Sequence, residues 1–448
     1  MSLRLQTPRP ELSGQISRVW KLSIPAILTQ ITTIAMQYID SAMVGDLGAN
    51  ASAAIGLVST STWLMGGLGS AISAGFSVQV AQYIGAGQSS DARRVIKHGL
   101  LTALIAEVLL MILGISISES LPKWLGGDAV LWKDASAYFF VFACTMPFMG
   151  MNWLASAFLQ CSGNMVIPSI LNAVMCGLDV IFNAILIPRF GVLGAALGTG
   201  LATAVVSLVM LWFCCIRSEV LRINRKEKCP LDTEILKRAF KIGTPVGAEQ
   251  IAMSAAMVVS TMIIAPLGPV AIAANSFAVT AESLCYMPGY GIATAATTLV
   301  GQSVGAKDYR VARQLGKICT AFGSVMMALT GTVMFIGCPL VFRMLTPVQE
   351  VQALAVQIIR IGLLAEPLYG VSMVASGALR GAEDTLVPSI LNLLSIWVVR
   401  LGLSALLVGN LGIYGVWIAM AVELCVRGLL MLYRQLHSNY LNPQEETI

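Results

Sequence analysis

The sequence predicts an all-α membrane protein: twelve transmembrane helices in two parallel six-helix repeats, an N-lobe and a C-lobe, around a central cleft. Three observations predict it. Of the 448 residues, 56% are hydrophobic and 11% are charged, and the mean hydropathy is +0.79. A soluble chain carries about 25% charged residues. Twelve apolar segments, separated by short polar breaks, are of the length that crosses a bilayer. The two halves of the chain also repeat one another in sequence.

The segments fall at 16–42, 53–84, 95–117, 135–160, 165–188 and 192–216, and then at 240–265, 270–304, 312–338, 352–378, 386–408 and 412–434. The second and eighth exceed the roughly 20 residues that a span needs, so they tilt, bend or protrude. Loop Lys and Arg residues orient the array, because positive charge is retained on the cytoplasmic side. One side collects Arg4, Arg9, Arg18 and Lys21, then Arg93, Arg94 and Lys97. It also collects Arg217, Arg222, Arg225, Lys226, Lys228, Lys237, Arg238 and Lys241, followed by Lys307, Arg310, Arg313, Lys317, Arg380 and Arg434. The other side has Lys123, Lys133, Arg189 and Arg343. Both termini are therefore expected in the cytoplasm, with the chain in a plasma (inner) membrane and the lipid bilayer as its first partner. The net charge of +5 lies largely in these loops and concerns orientation rather than nucleic acid.

The charged stretch at 217–232 is the one apparent linker. It divides an N-lobe, residues 1–216, from a C-lobe, residues 233–448. At an offset of 220, Lys21, Pro25 and Gln30 match Lys241, Pro245 and Gln250. The run Val80, Gln82, Gly85, Ala86, Ala92, Arg93 matches Val300, Gln302, Gly305, Ala306, Ala312, Arg313, and Pro168–Asn172 is identical to Pro388–Asn392. Gly191 and Gly194 match Gly412 and Gly415 after one inserted residue. Six spans per repeat is an even number, so the repeats are parallel and related by an axis along the membrane normal. Two like lobes across a cleft are the arrangement that a rocking transporter uses, and the lobes are complete without a second chain, so a monomer is expected to suffice.

Divergence between the copies points to chemistry. Asp40 aligns with Ser260, Asp179 with Val399, Glu249 with Thr29 and Glu282 with Thr62. A charge at the centre of a membrane helix costs roughly 2.5–3.5 kcal/mol on insertion scales, so such residues face a wet cavity, pair, or take up an ion. The N-lobe contains Asp40, Glu107 and Asp179 within its segments and no membrane-embedded basic residue to neutralise them. The C-lobe segments contain Glu249, Glu282, Glu366 and Glu423 together with Arg360, Arg400 and Arg427. Glu423 and Arg427, four apart, read as a structural pair.

The N-lobe is thus the better place for an H⁺ or Na⁺ site. Asp179 and Asn183 are one turn apart, and Asn172 is two turns before Asp179 on the same face. The cation-coupling candidates are Asp40, Asp179, Asn183 and Asn172, with Na⁺ possible at Asp40 and Asp179. Substrate-cavity candidates are Gln30, Tyr38, Asn152, Thr199, Glu249, Gln250, Glu282 and Arg400. Methionines and aromatics along the segments suit bulky apolar cations through dispersion and cation–π attraction.

Enzyme chemistry has no signature here. GxxxxGK[ST] and HExxH are absent, and the two histidines, His98 and His437, have no metal-ligand spacing. The ten cysteines show no CxxC spacing and read as small hydrophobes. No cofactor is expected, other than H⁺ or Na⁺ as coupling ion.

At this point the chain resembles the multidrug and toxic compound extrusion (MATE) family. The resemblance rests on IDSAMVGDLGANASAAIG (Ile39–Gly56), VAQYIGAGQSSDARR (Val80–Arg94), LQCSGNMVIPSILN (Leu159–Asn172), FGVLGAALGT (Phe190–Thr199), MPGYGIATAATTLVGQSVGA (Met287–Ala306) and ALRGAEDTLVPSILN (Ala378–Asn392). It implies export of small organic, often cationic, compounds by antiport with H⁺ or Na⁺, through rocking of two lobes. It implies that Asp40 is central to cation coupling, with a polar pair on the fifth helix. The family pair is Asn followed four residues later by Asp; here Asp179 precedes Asn183, the reverse order. The branch with a C-lobe Na⁺ site has its acidic residue level with Met253, whereas this chain has Glu249 one turn earlier. A flippase for a lipid-linked precursor, from the same wider superfamily, is the alternative, and it would need a cationic cavity in which Arg400 is the main candidate.

Overall fold

A computed structural model of the chain describes residues 12–223 and 232–438. Arg4, Arg9, Arg225, Lys226 and Lys228 lie outside the described residues, as does half of the expected linker. The N-lobe helices are α1 (Leu12–Gly45), α2 (Ala49–Gly85), α3 (Ser89–Ile117), α4 (Trp132–Cys161), α5 (Val166–Phe190) and α6 (Val192–Trp212). The C-lobe helices are α7 (Thr233–Ile264), α8 (Pro269–Gly305), α9 (Tyr309–Leu345), α10 (Gln349–Leu363 and Glu366–Gly381), α11 (Leu386–Leu411) and α12 (Ile413–His437). Among the described residues eleven helices are individually long and apolar enough to span, and the bent pair in α10 supplies the twelfth. The expected segments are all present, several with polar extensions at their ends.

Two departures have clear causes. The tenth segment, read as one helix over 352–378, is broken at Leu364–Ala365 and bent by 53°. Pro367 restarts the helix without a backbone donor, a position that proline tolerates only near a helix start. Its repeat partner Pro147 sits inside an unbroken α4. The second departure is a π-helical stretch, Ser395–Arg400, inside α11. A π-bulge absorbs one extra residue in a helix, which locates the insertion that shifts Gly412 against Gly191. Past the bulge the offset is 221. Asp179 aligns with a residue inside the bulge, and past it Ser404 stands level with Asn183.

Even-numbered helices and odd-numbered helices run oppositely, so both ends of the described chain and the loops at 86–88, 162–165, 306–308 and 382–385 share one face, the terminal face. The lobes are sewn together there by repeat-related contacts. Gln82 Nε2 donates to the Gly381 carbonyl at 3.1 Å, and its counterpart Gln302 Nε2 donates to the Cys161 carbonyl at 2.8 Å. Cys161 and Gly381 are themselves 220 apart. Gly85 and Gly305 lie so close to the Gln302 and Gln82 carbonyls that a Cβ on either would collide with the opposite backbone. Arg238 adds an ion pair to Glu383 and a bond to Gln82 Oε1. The first helix of each repeat also leans across. Val19 and Ile27 of α1 join the apolar cluster of α8, α9 and α10, while Ile235 and Ala239 of α7 join that of α2, α3 and α4. Replacing Gly85 with Leu is expected to cost about 1–3 kcal/mol through overpacking. Thermal melting of purified protein checks this; an unchanged melting temperature would show that this crossing is not formed in solution.

The described part of the linker is held to the N-lobe. Leu221 is buried, Arg94 pairs with Asp232 at 3.1 Å, and Asp232 N donates to His98 Nε2 at 2.9 Å. Glu423 and Arg427 form the expected pair at 3.0 Å, almost fully buried, and Ser395 Oγ in the π-bulge donates to Glu423 at 2.7 Å.

Candidate functional site

α1 and α5 pack against one another along their halves away from the terminal face. This contact brings together side chains 143 residues apart in sequence. Asn183 Nδ2 donates to Asp40 Oδ1 at 2.8 Å and to Asp179 Oδ2 at 3.3 Å. One amide nitrogen therefore ties two carboxyl groups. Asp179 and Asn183 are fully buried, and Asp40 is half-buried. Among the described residues no Lys or Arg pairs with either aspartate. Asp179 Oδ1 and Asn183 Oδ1 are buried with no hydrogen-bond partner. Unpartnered oxygens beside two carboxyls are a donor set for a hard monovalent cation or a proton.

The local sequence explains the approach. α6 meets α5 with Gly194 and Gly198, a GxxxG spacing that lets helix backbones come close in a membrane. A Cβ on Gly198 would run into Asn183 Oδ1, and would lie 3.1 Å from the Asn183 backbone nitrogen. Gly198 thus fixes where the bridging amide sits. Sequence reasoning missed it as a site residue, although the spacing was visible. Tyr138 on α4 was also missed; its ring packs into the apolar clusters around Val44, Ile187 and Phe139, within electrostatic reach of both aspartates.

The other candidates are distributed more widely. Asn172 is not in the cluster, because its Nδ2 donates to the Pro168 carbonyl one turn back, at 2.9 Å. Tyr38 reaches across to the C-lobe, where its hydroxyl donates to the Thr280 carbonyl of α8 at 2.7 Å. Gln30 and Thr199 are half-buried. Asn152 is buried with its Oδ1 unpartnered. Gln250 packs across the lobe boundary against Gly67 of α2. Glu249 accepts bonds from Ser389 Oγ at 2.7 Å and Asn392 Nδ2 at 2.6 Å, so a second carboxyl is held on α7 by two donors from α11. Glu282 is buried, with Oε1 unpartnered, against Gly362. Arg400 places Nη2 2.9 Å from Met420 Sδ. Aromatics cluster in the C-lobe: Tyr286 packs edge-on against Tyr290 and Tyr369, and Arg427 lies over the Tyr369 ring.

Comparisons with known proteins agree with this architecture. The protein-family model described as MatE matches residues 25–185 and again 245–406, once in each repeat. The "Probable multidrug resistance protein NorM" of Rhodopseudomonas palustris is 30% identical, over 94% of this chain and 91% of its own. "Multidrug resistance protein NorM" of Aliivibrio fischeri is 27% identical over 94% of both chains. Among solved structures, an outward-facing multidrug resistance MATE family transporter of the MOP superfamily superposes with a TM-score of 0.91 at 22% identity, over 95% of this chain and 96% of that one.

Proposed function

The chain belongs to the MatE family, and from that premise we propose that it is a multidrug efflux transporter that exports small organic cations in exchange for H⁺ or Na⁺. It is an integral membrane transporter and not an enzyme. In this reading, residues 1–216 and 233–448 are the two lobes, joined through 217–232, in an inner membrane with the terminal face in the cytoplasm. The protein works as a monomer.

The observation that carries the reading is the Asn183 amide bridging Asp40 and Asp179 inside an apolar lobe with no basic partner. Two carboxyls tied to one amide repel when both are charged, and a bound H⁺ or Na⁺ relieves that repulsion. The ion arrives from the face away from the termini. It neutralises the N-lobe, weakens the hold on a cationic substrate and lets the substrate leave. Release of the ion to the cytoplasm resets the lobes. Transport needs only that ion and substrate prefer different states. The repeat-related contacts at the terminal face supply a closed cytoplasmic side, and they must part for the ion to leave there. Gln30, Tyr38, Asn152, Thr199, Glu249, Gln250 and Glu282 are the polar candidates for the substrate path. Arg400, against Met420 and on the Glu282 side of the C-lobe, lends less to the flippase alternative than an open ring of arginines would.

Efflux of a fluorescent lipophilic cation from vesicles under separate H⁺ and Na⁺ gradients tests this. One gradient is expected to drive efflux by wild-type protein. If neither does, and a lipid-linked precursor is moved instead, the proposal gives way to the flippase reading.

A further inference from the structure

Glu107 lies two-thirds of the way along α3, is 1% exposed, and neither of its carboxyl oxygens has a hydrogen-bond partner. It fills a pocket with glycine walls on two neighbouring helices. A Cβ on Gly69 of α2 would sit 2.6 Å from Oε1, and one on Gly150 of α4 would overlap Oε1, Cδ and Cγ. The Trp153 ring closes the same pocket, 3.1 Å from the Gly69 Cβ position.

The second repeat contains the same pocket with a different occupant. At the offset of 220, Gly69 becomes Gly289, Gly150 becomes Gly370, and Glu107 becomes Met327. Met327 is fully buried, and its Sδ would be 2.7 Å from a Cβ on Gly289 and 3.0 Å from one on Gly370. A thioether of similar length thus satisfies the packing in one lobe at no polar cost. A buried carboxyl without a hydrogen bond is costly. The packing alone therefore does not account for a glutamate in the N-lobe.

We propose that Glu107 is a second proton-binding site of the N-lobe, separate from the Asp40–Asn183–Asp179 cluster, which takes up and releases H⁺ as α2 moves between states. α2 is the helix that links this pocket to the other lobe. Gly66 and Gly69 face Trp153 and Glu107, while Gly67 between them meets Gln250 of α7. A shift of the lobes that moves α2 against α7 therefore also moves one wall of the Glu107 pocket. The step is simple protonation: the carboxylate gains H⁺ in one state and loses it in the other.

Other titratable groups on the packed elements are turns away along their helices, at 1.5 Å per residue. On α2 the one such group is Tyr83, fourteen residues beyond Gly69. On α4 the flanking ones are Cys144 and Cys161, six and eleven residues from Gly150 and Gly150 itself being the wall, with Tyr138, Asp134 and Lys133 further on. On α3 they are His98, Lys97, Arg94, Arg93 and Asp91 towards the terminal face and Glu119 just past the other end. α7 meets α3 at its terminal-face start, through Asp232 before it and His98. Glu107 thus exchanges its proton without a charged neighbour.

Whether Glu107 titrates is independent of the transport reading; that its proton cycles during export rests on it. Infrared difference spectra of the full chain in nanodiscs, stepped from acidic to alkaline pH, read the first. Wild type and Asp40→Asn are expected to lose a protonated-carboxyl band that Glu107→Met and Glu107→Gln both lack. Persistence of that titrating band in the two Glu107 variants, or a Glu107 band unchanged at every pH, overturns the proposal. The Met variant copies the occupant of the other lobe and is expected to melt with wild type; the Gln variant carries the comparison if it does not. In vesicles, Glu107→Met is expected to move fewer protons per exported cation, and equal numbers count against the proposal. A wild-type protein that exports nothing would sink the transport reading while leaving the titration result intact.

Discussion

Replacing Asp40 with Asn is expected to reduce gradient-driven export by about 100-fold while leaving the protein folded. Asn has the shape of Asp and retains an oxygen to accept the bond that Asn183 Nδ2 now makes at 2.8 Å. What it loses is the charge and the capacity to take up a proton or ligate Na⁺ strongly. The magnitude is the upper part of the range for coupling between two sites, roughly 5–150-fold. Stability should change little, because a half-buried carboxyl with no basic partner is exchanged for a neutral group of equal size. Vesicle efflux under the driving gradient, with melting as the control, gives the answer. Full export by the Asn variant would mean that Asp40 is merely a solvated residue near a helix end.

The second large effect is expected from Gly198→Ala, a change of one methyl group on a helix that carries none of the charges. The added Cβ would occupy the position of Asn183 Oδ1. Asn183 cannot yield through its backbone, since its own nitrogen would be 3.1 Å from that Cβ. Its amide must rotate, and the bridge between Asp40 and Asp179 opens. Overpacking of this kind costs about 1–3 kcal/mol. Coupling should fall with it, because the two carboxyls are no longer tied. A double-mutant cycle separates the effects: adding Asn183→Ala should restore stability by removing the clash, and should leave export impaired. A Gly198→Ala protein that melts and exports like wild type would show that α6 does not position the bridge.

Much of the fold was legible because a membrane chain writes its spans and its duplication openly. Apolar length gave the twelve helices, and the offset of 220 gave the two lobes. The same offset, read on the structure, relates Gln82 to Gln302 and Gly85 to Gly305 as partners across the lobe boundary. The break at Pro367 was harder to see, since Pro147 occupies the equivalent place in an unbroken helix. What differs is tertiary packing around the kink, which a local pattern does not record. The inserted residue was visible in the sequence, but its place inside a π-bulge was not, and the register of Ser404 depended on it.

The candidate site was legible in part. Asp179 and Asn183 follow from spacing on one helix. That Asp40 joins them depends on how α1 packs on α5, to which the lack of a membrane-embedded basic residue in the N-lobe and then the family resemblance point. Asn172 shares their helical face, yet its amide bonds back to Pro168. Periodicity gives the face of a helix but not which polar group turns to its own backbone. Tyr38 is legible as a polar candidate, but not that its hydroxyl donates to the Thr280 carbonyl in the opposite lobe. Gly198 illustrates the opposite case, where a residue without a side chain shapes a site and composition says nothing of it.

The central claim is that one ion site, built on Asp40, Asn183 and Asp179, is linked to substrate binding. The most direct measurement is the affinity of the purified full chain for a lipophilic cation across a range of pH and of Na⁺ concentration, with wild type and Asp40→Asn side by side. Linkage is reciprocal, so an ion that expels substrate must itself be weakened by substrate. The account predicts that wild-type affinity falls as the coupling ion rises, either H⁺ on acidification or Na⁺ on addition of salt at constant ionic strength, and that the Asn variant responds far less. An equal ion dependence in the two proteins, or none in wild type, would contradict it.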